Sequence, residues 1–260
     1  MIFLEKIKPI LFTLFISLLM LHFFHSCKKN EKKEDLTFND FYYPFNQWTE
    51  GMVYEYQPVQ KNQFPNEYWY FRKLKTDTAL YFTGQYFDHT FTPRQIFNAK
   101  IKENVALIND YILYEYDSLR NVIQKPAQIL AGNSFPFGKL DSTSTFLLKL
   151  KWDNPIPDYP DGYFEMTRTR QYIGNAAYSF KNQSYDCLTF HLSEHVDDFN
   201  DGHLEKEYQG QELYAKNLGL IYYKKEIDEN FVLEYELKDT FSMSKMEQKF
   251  KTYLSEDDQQ

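Results

Sequence analysis

The stretch 146–152 reads Phe-Leu-Leu-Lys-Leu-Lys-Trp, and it decides the fold class of this chain. Every second residue is apolar, and the same spacing returns at 188–192 and 231–238. In the first stretch the shared face consists of Phe146, Leu148, Leu150 and Trp152. A period of two is typical of antiparallel strands that bury one face. The sequence therefore predicts a mainly β protein.

Other predicted strands are apolar on both faces, and many of their residues are aromatic. Residues 68–71 and 80–87 are examples in a chain that contains 24 Phe and 22 Tyr. Aromatic side chains fit pleated sheets well, so this content is compatible with an ordinary β core. An alternative is a concave aromatic face that receives a hydrophobic ligand. The candidate ligand-binding residues on such a face are Tyr68, Tyr70, Phe82 and Tyr86.

Helical signals are few. Residues 92–95 have the form of a capping box, although 95–101 can equally form a strand. Asn109-Asp110 separates two apolar runs and predicts a hairpin turn. Met243, Met246, Phe250 and Tyr253 have helical spacing. We therefore expect a large curved antiparallel sheet, an open half-barrel, with one or two short helices.

Residues 1–26 have the layout of an export signal. A short charged start precedes an apolar run at 9–24, and the small Ser26 comes directly before Cys27. A cleaved signal has an apolar core of about 7–15 residues, and a membrane span needs about 20. The run is at the long end, so an uncleaved anchor is the open alternative. The segment resembles a bacterial lipoprotein signal peptide, which implies cleavage before Cys27 and acylation, including palmitate, of Cys27.

The composition then divides the remaining chain. Residues 27–37 are rich in Lys and Glu and predict a flexible charged tether. Residues 38–254 carry strand patterning throughout and predict a single β-rich domain. Residues 255–260 are polar and acidic, and they predict a disordered tail.

Charge and cysteine content exclude several classes of function. The net charge is −8, which argues against nucleic acid as a partner. Cys27 and Cys187 are the two cysteines, and acylation of Cys27 would leave Cys187 without an intramolecular partner. We expect no disulfide framework and no cysteine metal site. Cys187 lies in a strand pattern and is interpreted as a buried structural thiol.

The sequence predicts no catalytic residues, no metal site and no cofactor. Histidines and carboxylates crowd into 191–203, where the first part has the pattern of a strand. Residues 197–202 lack the ligand spacing of an EF-hand, and 197–203 is interpreted as a solvated acidic loop. Gly-x-Ser-x-Gly, Gly-rich phosphate-loop and His-Glu-x-x-His motifs are absent from the sequence. Whether the protein is an enzyme stays uncertain, with the balance against it.

Several short stretches carry a resemblance to a known group. Residues 41–45 read Phe-Tyr-Tyr-Pro-Phe and residues 51–56 read Gly-Met-Val-Tyr-Glu-Tyr. Later, 185–190 and 212–221 continue the pattern, and its clearest mark is Tyr-Ala-Lys-Asn-Leu-Gly-Leu at 214–220. This pattern resembles uncharacterised Bacteroidota lipoproteins, which are similar to LolA/LolB-like lipoprotein domains. The resemblance implies a curved sheet that partly wraps an apolar cavity. It implies no catalytic residues.

The functional prediction is a cell-envelope lipoprotein held at the outer membrane through lipidated Cys27, facing either the periplasm or the cell surface. Its role would be a non-catalytic binding or carrier module for a hydrophobic ligand or an envelope partner protein. The alternatives are a structural or assembly component of an outer-membrane or surface complex, and a hydrolase whose site has no recognisable motif.

Overall fold

The computed structural model describes residues 38–60, 64–103, 105–117, 119, 121–138, 144–156, 158–200 and 202–257. The predicted signal peptide at 1–26, Cys27 and the predicted tether at 27–37 lie outside the described residues. The described residues belong to one compact unit.

Most of the described chain is β-strand, as the alternating pattern predicts. The strands are β1 (Met52–Pro58), β2 (Glu67–Lys75), β3 (Leu80–Phe87), β4 (Pro93–Lys102), β5 (Val105–Tyr116), β6 (Val122–Pro126), β7 (Gln128–Pro136), β8 (Thr145–Asp153), β9 (Tyr163–Phe180), β10 (Gln183–Asp198), β11 (Leu204–Ala215), β12 (Gly219–Asp228) and β13 (Phe231–Phe241). Two short 3₁₀ helices, Phe38–Asp40 and Phe45–Gln47, precede β1, and helix α1 (Met243–Asp257) follows β13.

The sheet closes on itself. Its order is β4-β3-β2-β1-β13-β12-β11-β10-β9-β8-β7-β5, and β5 also pairs with β4. Twelve antiparallel strands therefore form a closed barrel, and β6 pairs with Ile112–Tyr116 of β5. In an open sheet the two edge strands expose unpaired N–H and C=O groups. Closure of the barrel gives both of these strands a hydrogen-bonding partner. The prediction of an open half-barrel is wrong, because β4 pairs with β5 from Gln95 to Lys102.

Two segments with ambiguous or turn-like sequence patterns, 95–101 and 109–110, form strands in the structure. Residues 93–102 form β4, so the capping-box pattern at 92–95 does not begin a helix. The predicted hairpin turn at Asn109-Asp110 is wrong, because β5 runs through both residues. The register shifts there, with Asn98 opposite Asp110 and Ala99 opposite Ile108, so Asn109 is the extra residue of a β-bulge. The bulge bends β5 without ending it.

The segment before β1 enters one end of the barrel and fills it with aromatic rings, and we call residues 38–48 the plug. Phe38 is fully buried, stacks on Phe135 at 5.4 Å and meets Phe190 and Tyr214 edge-on. Deeper in the plug, Tyr42 and Tyr43 lie against other rings of the barrel wall. The plug therefore supplies a large part of the apolar core at this end.

Helix α1 packs on the outside of the barrel, and it confirms the helix predicted from the spacing of Met243, Met246, Phe250 and Tyr253. Met246 is buried with Val53, Tyr68 and Phe241. The helix runs to Asp257, into the stretch 255–260 that the sequence predicts as a tail. Within the described residues, no helix has both the length and the apolarity to cross a membrane.

Candidate functional site

The barrel encloses a cavity of about 300 Å³ between the plug and the opposite end. Tyr42 and Tyr43 of the plug contribute to its lining. This volume is at the small end of the range for small-molecule sites, about 300–1,000 Å³. The cavity has two chemically different walls, because the inward-facing residues of β2–β4 are mostly aromatic and those of β9–β12 include charged groups.

The aromatic wall centres on Trp69. Its ring stacks on Tyr86 at 5.2 Å and on Phe71 at 5.7 Å, and Phe97 lies 6.3 Å away. Leu233 of β13 extends the same lining. These side chains are partly accessible apart from the buried Phe71, so the wall can contact a molecule in the cavity.

The opposite wall carries two cations that share one carboxylate, and we call Arg168, Glu194 and Lys225 the charged triad. Arg168 Nε donates to Glu194 Oε2 at 2.7 Å, and Lys225 Nζ donates to Glu194 Oε1. The Glu194 side chain is 4 % exposed, whereas those of Arg168 and Lys225 are 28 % and 25 % exposed. The triad therefore has one net positive charge, and its two cations remain accessible from the cavity.

Burial alone would raise the pKa of Glu194. Arg168 and Lys225 outweigh that effect and hold the pKa of Glu194 at about 2. Glu194 is therefore ionised at neutral pH, and it is poorly suited to act as a general acid or base there.

A second ion pair lies deeper in the barrel. Arg170 binds Glu212 through two hydrogen bonds, at 2.6 and 3.1 Å, and Tyr214 donates to the same carboxylate at 3.2 Å. The Arg170 guanidinium also lies over the Phe135 ring at 4.9 Å. Burial on its own would lower the pKa of Arg170, but the Glu212 carboxylate raises it above its usual range. This pair is internally neutral, and it connects the charged wall to the plug.

Glu67 is the third carboxylate in the cavity lining, and it lies among tyrosines. Tyr223 donates its hydroxyl hydrogen to Glu67. Burial raises the pKa of Glu67, and hydrogen bonds from Tyr223 and Tyr86 offset this only in part. The neutral acid is thus more favoured here than on the surface, so Glu67 opposes an incoming anion less than an ordinary carboxylate would.

The structure does not bring the four predicted ligand-binding residues together. Phe82 and Tyr86 point into the barrel, where Phe82 is buried under the plug and Tyr86 lines the cavity. Tyr68 packs outside the barrel with the residues beneath α1, and Tyr70 packs against the same outer group. Tyr68 and Tyr70 are thus on the face of β2 opposite Trp69. Of the four, Tyr86 is the one placed to touch a molecule in the cavity.

The charged triad is not among the residues predicted from the sequence, although the strand pattern contains a signal for it. The alternation that places Leu188, Phe190 and Leu192 on one face continues to Glu194. In β9 the same period puts Arg168 and Arg170 on the inward face. A charged residue in register with a buried apolar face is the signature of an interior polar group.

Cys187 lies where the sequence predicts, as a buried thiol in β10. Burial raises its pKa to about 11, so the thiol stays protonated at neutral pH. The lipid-attachment residue Cys27 lies outside the described residues.

No protein-family model and no curated protein matches this chain. Among solved structures, a predicted lipoprotein of Parabacteroides distasonis superposes with a TM-score of 0.48 and 14% identity, covering 79% of this chain and 100% of the other. A predicted exported protein of Bacteroides fragilis with a YmcC-like fold gives 0.47 and 11%, covering 78% and 100%. The hypothetical lipoprotein YmcC of Escherichia coli gives 0.32 and 11%, covering 74% and 85%. The expected LolA/LolB-like resemblance has no counterpart among these three.

Proposed function

We propose that this chain is a lipid-anchored envelope protein that binds a small amphipathic molecule, with an apolar body and an anionic group, inside its barrel. The observation that carries the proposal is the pair of accessible cations, Arg168 and Lys225, that share the single carboxylate of Glu194 across the cavity from Trp69. This geometry favours a non-catalytic binding role, because Arg168 and Lys225 hold Glu194 ionised.

The anionic group would lie at the triad. An arginine makes strong, directional hydrogen bonds to carboxylates and phosphates, and such bonds are about twice as strong as neutral ones. The Arg168 guanidinium uses Nε and Nη2 on one oxygen of Glu194. The triad has two cations and one carboxylate, so it carries one net positive charge. An incoming anion would neutralise this charge.

The apolar body would lie against Trp69, Phe97 and Leu233. Burial of apolar surface stabilises a complex by about 25 cal/mol per Å² before the costs of association are subtracted. A cavity of about 300 Å³ limits the body to a medium-length chain or a small ring system, so that a full phospholipid does not fit inside.

Decanoate tests this proposal, because it combines a carboxylate with a medium apolar chain. We expect calorimetry on the purified protein to show saturable binding. The Arg168→Gln variant should bind at least about tenfold more weakly, since a lost charge-assisted hydrogen bond is worth about 1.5–3 kcal/mol. Glu194 keeps Lys225 in this variant, so the fold should persist, which circular dichroism checks.

Arg72→Gln is the matched control, because Arg72 is exposed on β2 and should leave decanoate affinity unchanged. Decanol, which has the same chain without the negative charge, should bind more weakly than decanoate. Equal decanoate affinity in the wild type and Arg168→Gln would contradict the placement of the anionic group at the triad.

Anchoring at the outer membrane through Cys27 is the second part of the proposal. Its support is the apolar run 9–24 followed by Ser26-Cys27. The single acyl chain of a partly modified cysteine gives only marginal attachment, so durable anchoring requires more than one chain.

We expect the Cys27→Ser variant, expressed in a Gram-negative host, to move from the membrane fraction to the soluble fraction and to lose incorporation of labelled palmitate. Cys187→Ser is the control, because Cys187 is buried, and that variant should stay membrane-bound and labelled. Retention of Cys27→Ser in membranes would point instead to an uncleaved apolar anchor.

A further inference from the structure

A group of histidines and carboxylates converges where β10 passes into β11. It begins next to the cavity-lining Glu194 in sequence, but on the opposite face of β10. His195 and Asp197 are on β10, His203 is in the connecting loop, and Glu205 is on β11. Both histidine Nε2 atoms approach Asp197 Oδ1, from His195 at 3.0 Å and from His203 at 2.8 Å. His203 Nε2 is also 3.4 Å from Glu205 Oε1. Donor atoms of His195, Asp197 and Glu205 all lie within 4.8 Å of one another.

From this convergence we propose that His195, Asp197, His203 and Glu205 form a binding site for a divalent transition metal of the zinc class. Zinc binds imidazole nitrogen at about 2.0–2.1 Å and carboxylate oxygen at about 2.0–2.2 Å. In a tetrahedral site these bond lengths separate neighbouring ligand atoms by roughly 3.4 Å. The imidazole nitrogens of His195 and His203 lie 3.0 Å and 2.8 Å from Asp197 Oδ1, somewhat less than that value, and the 3.4 Å from His203 to Glu205 matches it.

Neighbouring groups orient both imidazoles. The His203 ring stacks on Phe199 at 4.4 Å with an interplanar angle of 11°, and Phe199 stacks in turn on Tyr163 at 4.5 Å. His195 directs Nε2 toward Asp197, while its Nδ1 lies 3.8 Å from Glu207 Oε1. A carboxylate beside the second nitrogen is the usual outer partner of a metal-binding histidine, because it fixes the ring and its tautomer.

Charge and ligand type select the metal. Two neutral imidazoles and the carboxylates of Asp197 and Glu205 would neutralise a dication. Imidazole ligands favour zinc, copper and nickel over calcium and magnesium, which prefer sites made of oxygen atoms. The sequence pattern at 197–203 does not indicate this site, because only the pairing of β10 with β11 brings Glu205 opposite Asp197.

The test is calorimetric titration of the chelator-stripped full protein with zinc chloride at pH 7.5. We expect one equivalent to bind with a dissociation constant in the micromolar range or tighter, and the thermal midpoint to rise. The double variant His195→Gln/His203→Gln should bind at least about 100-fold more weakly, since it loses both imidazoles. Calcium chloride and magnesium chloride should give no saturable heat.

The control is His89→Gln/His191→Gln, which removes two exposed histidines and should bind zinc like the wild type. Glu205→Gln guards against misfolding of the double variant, because Glu205 is 56 % exposed and its substitution should weaken binding about tenfold with an unchanged fold. Absence of zinc binding by the wild type, or undiminished binding by both ligand variants, would overturn the proposal.

Discussion

Replacement of Arg170 by methionine is expected to lower the free energy of unfolding by about 3–5 kcal/mol, the usual result of removing one partner of a buried ion pair. The Glu212 side chain is only 8 % exposed and loses both hydrogen bonds from Arg170. Tyr214 remains as a donor to Glu212, but a single neutral hydroxyl does not compensate a buried carboxylate. Urea denaturation followed by tryptophan fluorescence measures the change.

A double variant distinguishes the stability lost with the ion pair from the stability lost with side-chain packing. Arg170→Met/Glu212→Leu removes both charges and should recover much of the stability that Arg170→Met loses, because well-packed apolar residues can replace a buried ion pair at little cost. Arg72→Met is the control at an exposed position and should change stability by less than about 0.5 kcal/mol. A loss below about 1 kcal/mol for Arg170→Met would show that Glu212 is not held by this ion pair.

Replacement of Phe38 by alanine is the second large effect we expect, a loss of about 3–5 kcal/mol. Phe38 is 0 % exposed and contacts rings from β7, β10 and β11, so its removal opens a cavity between elements that are distant in sequence. Aromatic pairs contribute about 0.5–1.5 kcal/mol beyond their buried area, which adds to the loss.

The same denaturation assay measures the role of the plug. Ile173→Ala is the control, because Ile173 is 54 % exposed on β9 and its truncation should cost less than about 0.5 kcal/mol. If Phe38→Ala lowered the free energy of unfolding as little as Ile173→Ala, the barrel would be stable without the plug. The aromatic contacts of residues 38–48 would then contribute little to stability.

The sequence predicts the strands better than their assembly. Alternation identifies β8, β10 and β13, because apolar residues occupy every second position on the inward face of each strand. Closure of the barrel depends on β4 meeting β5 and on β1 meeting β13, which lies at the far end of the chain. Periodicity within one strand contains no information on such long-range pairings. The local pattern therefore predicts a mainly β fold, which the structure confirms, but it does not predict closure of the sheet into a barrel.

The candidate site was predicted less completely, for a related reason. Aromatic enrichment predicts Tyr86 as a ligand-binding residue, and Tyr86 lines the cavity. It also predicts Tyr68, which is buried in an outer cluster beneath α1. Burial by a helix that follows the last strand cannot be read from the strand itself. Arg168, Glu194 and Lys225 come from three strands, and their significance depends on a shared carboxylate that only the folded barrel brings together.

Native mass spectrometry of the protein extracted from its own cells tests most directly whether the barrel interior holds a small amphipathic anion. We expect an added non-covalent mass that is released by collisional activation and is reduced in a Leu233→Trp variant, whose larger side chain takes up part of the cavity. Wild-type protein with no bound mass, or a bound mass retained equally by Leu233→Trp, would contradict this expectation.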